Sequence, residues 1–108
     1  MGVVRQKGTK RSTRQAVDSP FQEPTTVVFR CAAPLDARVY VAGSFNRWSN
    51  DKHALTHDAA TGLVQTSVTL PPGRHEYKFV VDGAWMVDPN CPDWVINEHG
   101  SLNSVVIV

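Results

Sequence analysis

No apolar run in the sequence approaches the roughly 20 residues that a membrane-spanning helix needs, so the chain reads as one with no membrane partner. Cysteine is scarce. Cys31 and Cys91 lie far apart, neither belongs to a CxxC pair, and they read as two free thiols, one of them buried. Catalytic motifs are missing too: there is no GxSxG elbow and no glycine-rich phosphate loop. His53 and His57 have metal-ligand spacing but lack the Glu of HExxH and any helical surroundings, so neither a metal site nor a cofactor is expected. The four histidines read as surface or edge polar residues. Loop carboxylates are plentiful in Asp82, Asp88, Asp93 and Glu98. Glycoside hydrolysis, however, needs two carboxylates facing each other across a cleft, for which one small domain has little room. The expectation is a protein that is not an enzyme.

Charge of one sign is lacking overall, the formal net charge being +1, but its distribution is uneven. Residues 1–18 carry Arg5, Lys7, Lys10, Arg11 and Arg14 against Asp18 alone, and the remainder is mildly acidic. Residues 1–24 are too polar to offset their ordering entropy by burial and read as a disordered basic arm. The arm has no apolar stretch behind its charges and does not read as a secretory signal, which makes a cytoplasmic location the expectation. Without interleaved aromatics its charges would attract nucleic acid only non-specifically, so no specific nucleic-acid partner is expected.

After Pro24 the pattern changes abruptly to short β-branched and aromatic segments, with room for one domain over residues 25–108. Thr25–Cys31, Arg38–Phe45, Leu63–Leu70, His75–Val81 and Leu102–Val108 read as strands. No helical period intervenes, so the fold class is all-β, a β-sandwich. Pro71-Pro72-Gly73 suggests a hairpin between Leu63–Leu70 and Arg74–Val81, and Asp82-Gly83 a tight turn into Ala84-Trp85-Met86. Pro89 and Pro92 bracket an irregular segment. The period of two places Tyr77, Phe79 and Val81 on the core side and Glu76, Lys78 and Val80 on the outer side.

The three tryptophans, Trp48, Trp85 and Trp94, all fall in turn-adjacent segments rich in Asn, Asp and Arg. Indoles usually pack into a core or an edge. Flat apolar rings in polar surroundings also suit a sugar, whose C–H face stacks on an indole while its hydroxyls need donors and acceptors at the rim. Lys78 and Asn103 could supply them.

The segments VYVAGSFNRWS (Val39–Ser49), LPPGRHEYKFVVDGAWMVDP (Leu70–Pro89) and GSLNSVVIV (Gly100–Val108) are, in order and spacing, similar to the glycogen-binding module of AMP-activated protein kinase β subunits. That module belongs to carbohydrate-binding module family 48, the isoamylase N-terminal-like early-set domains. The resemblance implies an immunoglobulin-like sandwich that binds α-1,4-linked glucans such as glycogen, starch and maltodextrins without acting on them. It assigns glucose stacking to Trp48 and Trp85, a polar contact to Lys78, and further contacts to Ser101 and Asn103 near the last strand. Where the kinase module has Leu before the loop glycine, this chain has His99, which the resemblance places at the same carbohydrate contact, and Trp94 has no counterpart. A glycogen-metabolism enzyme or kinase is the protein partner implied. The competing reading is an early-set sandwich that serves as a protein-interaction scaffold without sugar. The joint presence of Trp48, Lys78 and Trp85 favours the glucan.

Overall fold

Alternation along the chain builds the layers. In Arg74–Val81, His75, Tyr77 and Phe79 are buried on one side, while Glu76 and Lys78 are half-buried on the other. Val80 shares that outer side yet is buried, flanked across the ladder by Tyr40 and Trp85. The computed structural model describes residues 23–108 in full and residues 2–6 as paired backbone. Its strands are β1 (Gly2–Gln6), β2 (Thr25–Cys31), β3 (Val39–Gly43), β4 (Ala54–Asp58), β5 (Leu63–Leu70), β6 (Arg74–Val81), β7 (Ala84–Met86), β8 (Trp94–Ile96) and β9 (Leu102–Ile107).

They pair in the order β1-β2-β5-β4-β3-β6-β9-β8, with β7 also on β6. The sheet turns its corner within β4: Ala54 and Leu55 pair with β3, whereas Thr56, His57 and Asp58 pair with β5. Although β5, β4 and β3 separate β2 from β6 in that order, the rings of Phe29 and Tyr77 meet edge-on at 4.9 Å. The sheet therefore folds over into two layers, an all-β, immunoglobulin-like β-sandwich. Val27, Phe29, Val41, Val64, Leu70, Tyr77 and Phe79 fill the space between them.

Several details depart from the sequence reading. β5 and β6 form no hairpin: β5 pairs with β2 and β4, and β6 with β3, β7 and β9. Both strands carry an apolar face, so they contribute to the core from opposite layers, and Pro71-Pro72-Gly73 is a crossing between layers. His75 is buried, not a surface residue; its Nε2–H donates to the carbonyl of Pro71 at 2.8 Å. β4 and β8 have no counterpart in the sequence pattern. β4 buries only Leu55 because it changes layers halfway, and β8 is three residues long. Of the arm expected at residues 1–24, residues 1 and 7–22 lie outside the described residues, and Gly2–Gln6 lies antiparallel along β2. The Asp82-Gly83 turn has φ of 50° and 86°, the paired left-handed geometry that joins twisted strands tightly.

Asp88, read from sequence as a loop residue, is buried. Its carboxylate accepts the Tyr77 hydroxyl at 2.7 Å, and its amide donates to Ser104 Oγ at 2.9 Å. Burial, reinforced by this hydrogen bond, pushes the Tyr77 phenol well above its usual range. Cys31 and Cys91 are both free thiols, and Cys31 is buried. Burial, with a smaller contribution from the charge of Asp88, raises the Cys31 thiol from 9.0 to about 11.

β3 stops at Gly43 because the chain then passes close over β6. A Cβ on Gly43 would lie 2.6 Å from the Glu76 carbonyl oxygen, a backbone atom that cannot swing aside. Instead of continuing as strand to Phe45, Ser44–Asn46 makes one 3-10 turn. Phe45 folds back onto Phe29 with ring centroids 5.6 Å apart, closing one end of the core.

These contacts set the response to substitution and to pH. Gly43→Ala should destabilise the domain by about 1–3 kcal/mol in urea unfolding, the usual range for an overpacked site. For Cys31 the folded thiol holds its proton more tightly than the unfolded one. Stability is therefore full below about pH 9 and falls as pH rises to about 11, by up to about 2–3 kcal/mol from this group. Urea unfolding across that window should show a shallower decline in Cys31→Ala than in wild type, and parallel declines would refute the assignment.

Candidate functional site

A groove of about 600 Å³ opens on the outer face of the β3-β6-β9-β8 layer. All six residues singled out from the sequence line it: Trp48, Lys78, Trp85, His99, Ser101 and Asn103. Trp94 does not. It lies 57% exposed on the edge strand β8, opposite Ser104. Sequence reading missed Glu76, Val95, Ile96, Asn97 and Glu98 as lining residues. For Asn97 a signal was available, since Asn followed three residues later by Gly is turn chemistry.

Trp48 is brought over the groove by a strained loop. Arg47 and Trp48 have φ of 59° and 58°, the left-handed region that costs a side-chain-bearing residue on the order of 1–2 kcal/mol. Asn46 holds them there. Its Oδ1 accepts the backbone N–H groups of Gly43 at 2.9 Å and Ser49 at 3.2 Å. Its Nδ2 donates to the Val41 carbonyl at 3.0 Å and to His53 Nδ1 at 2.9 Å. The Trp48 amide adds a 2.9 Å bond to the Gly43 carbonyl. His53 thus serves the loop.

Trp85 is carried on β7, where it pairs with Val80 on the outer face and remains 44% exposed. An indole that large, left nearly half in water at the mouth of a groove, exposes an apolar face.

Lys78 stands opposite the small, buried Ala42. Its ammonium donates to Ser101 Oγ at 2.8 Å, whereas Glu76 pairs with Arg74 at 3.3 Å and Asp82 accepts the Arg38 amide at 3.0 Å. Glu76 Oε1 accepts from Asn103 Nδ2 at 2.9 Å. Asn97 bridges Ser101 and Asn103 at 2.9 and 3.1 Å. His99, 80% exposed at the rim, lies 3.7 Å from the Glu98 carboxylate. The groove therefore offers apolar ring faces above a hydrogen-bonded polar floor, the requirements of a neutral ligand with flat C–H faces and many hydroxyls. Among the described residues no group of three or more His, Cys, Asp or Glu gathers as metal ligands would, and no helix is long and apolar enough to cross a membrane.

The chain is 39% identical over 70 residues to the 5'-AMP-activated protein kinase subunit beta-1 of Sus scrofa, covering 65% of this chain and 53% of that one. The Homo sapiens beta-1 subunit is also 39% identical over 70 residues, with 24% of its length covered. The Mus musculus beta-2 subunit is 37% identical over 90 residues, covering 82% of this chain and 31% of the relative. The chain thus spans about half the length of the first of these relatives and a quarter to a third of the others. The family described as the glycogen recognition site of AMP-activated protein kinase matches residues 25–108, nearly the whole fully described sandwich, and the chain belongs to that family.

Proposed function

We propose that the protein binds α-1,4-linked glucan chains of glycogen, starch or maltodextrin type without catalysis, in the groove between Trp48 and Trp85. The observation that carries this reading is the convergence, on one open groove, of two indoles and the Lys78–Ser101–Asn103 polar set. Glucose rings stack on Trp48 and Trp85, and hydroxyls bond to Lys78, Ser101 and Asn103. His99 meets the ligand at the rim. The family's description as a glycogen recognition site supports the choice of glucan. The relatives are subunits of a kinase, so assembly with a kinase or a glycogen-metabolism enzyme belongs to the same reading. Two free thiols fit a cytoplasmic setting. Residues 25–108 form the binding domain, and residues 1–24 its basic arm. A protein-interaction scaffold is the second reading, favoured by Trp94, 57% exposed on β8 outside the groove.

Covering half of one face of an indole removes roughly 40–60 Å² of apolar surface, or on the order of 1–2 kcal/mol per ring. Two rings and a few net hydrogen bonds correspond to affinities in about the micromolar to millimolar range. Calorimetric titration with maltoheptaose should show most binding lost in Trp48→Ala and Trp85→Ala, with circular dichroism unchanged. Lys78→Gln should weaken binding about tenfold or more, since it loses a charge-assisted bond. Trp94→Ala, outside the groove, should bind as wild type. If Trp48→Ala and Trp85→Ala both bind undiminished, the groove is not the site.

A further inference from the structure

The loop from Asn97 to Ser101 is organised by one amide. The backbone makes two bonds, from the Asn97 amide to the Ser101 carbonyl at 2.8 Å and from the Gly100 amide to the Asn97 carbonyl at 3.0 Å. The Asn97 side chain makes four. Oδ1 accepts the N–H groups of His99 at 2.9 Å and Ser101 at 3.1 Å. Nδ2 donates to Ser101 Oγ at 2.9 Å and to Asn103 Oδ1 at 3.1 Å. A carboxamide has two acceptor sites and two donor hydrogens, so its capacity is filled. Its orientation is fixed as well, because a flipped amide would set NH₂ against two backbone N–H donors.

The filled amide constrains Ser101. Its hydroxyl oxygen accepts from Asn97 Nδ2 and, at 2.8 Å, from the Lys78 ammonium. Both acceptor sites of the hydroxyl are then occupied, and only its hydrogen is left to offer. Asn103 is held at both ends, its oxygen accepting from Asn97 and its nitrogen donating to Glu76, which leaves one acceptor site and one hydrogen. We propose that Asn97 is a positioning residue of the groove, which sets the donor and acceptor polarity of its polar floor and turns Ser101 into an outward hydrogen donor toward a glucan oxygen. The inference rests on the glucan reading above and adds a lining residue that, its own hydrogen-bonding capacity being filled, acts on the ligand through Ser101 and Asn103.

Asn97→Asp and Asn97→Ala separate this role from that of holding the loop. A carboxylate keeps an oxygen for the His99 and Ser101 amides, but it has no hydrogens for Ser101 Oγ and Asn103 Oδ1. The Ser101 hydroxyl then turns to donate to the introduced carboxylate, and its hydrogen is withdrawn from the groove. Amide exchange of His99 and Ser101 should stay protected in Asn97→Asp and be lost in Asn97→Ala, with both domains folded. Maltoheptaose affinity should nevertheless drop about tenfold in Asn97→Asp. Combined with Ser101→Ala, the loss should be clearly smaller than the product of the single losses, because the two act through one hydrogen. Wild-type affinity in Asn97→Asp, or losses that multiply independently, would overturn the inference. Exchange protection unchanged in Asn97→Ala would also overturn it. A wild-type protein that fails to bind maltoheptaose would refute the glucan reading instead, while the exchange result still decides whether Asn97 holds the loop.

Discussion

The edge-on packing of Tyr77 against Phe29 is the contact through which the sheet closes on itself, and the groove depends on it as well. Tyr77 also packs edge-on against Phe79 at 5.8 Å, and its hydroxyl reaches Asp88. Asp88 in turn fixes the irregular run that follows β7 by bonding Ser104 and the Asn90 amide. That run delivers the chain to β8 and hence to Asn97. One ring thus anchors the core on one side and, through its oxygen, registers the segment that supplies a wall of the groove. The neighbouring residue, Lys78, projects from the opposite face of the same strand, so an error in Tyr77 packing would be felt at the polar floor.

Most of the sandwich was legible because its central strands alternate cleanly. The run Thr25–Cys31 and the β6 pattern around Tyr77 and Phe79 announce one buried face each, and the Asp82-Gly83 turn carries its own geometry. What could not be read were the parts where alternation breaks down. β4 switches layers between Leu55 and Thr56, so no single face is buried along it. β8 is a three-residue edge strand, Trp-Val-Ile, whose residues suit a strand but are too few to show an alternation behind the proline-bracketed segment, and Trp94 and Ile96 are exposed. The expected β5–β6 hairpin failed because a proline-glycine turn does not distinguish a hairpin from a crossing between layers. That choice depends on which strand edges are already taken.

The candidate site shows the same division. The tryptophans and Lys78 could be named from chemistry and strand face alone. Asn97 shows in the sequence only as a turn residue, because its importance lies in four side-chain bonds that exist only after the loop has formed. Asn46 is the counterpart on the other side of the groove, also with four side-chain bonds. Both residues look like ordinary turn asparagines, and both act as three-dimensional fasteners. Between them they hold the two loops that carry Trp48, His99 and Ser101.

These two saturated amides bear on the entropy of recognition. A side chain whose hydrogen-bonding capacity is filled within the protein has no free rotation left to surrender, and the same holds for the groups it clasps. The ordering cost that an adaptable surface would meet on association is met here during folding. Weak contacts can then register as measurable affinity. Such a surface should also lose its grip abruptly, when the domain itself melts, and show little gradual softening on the way.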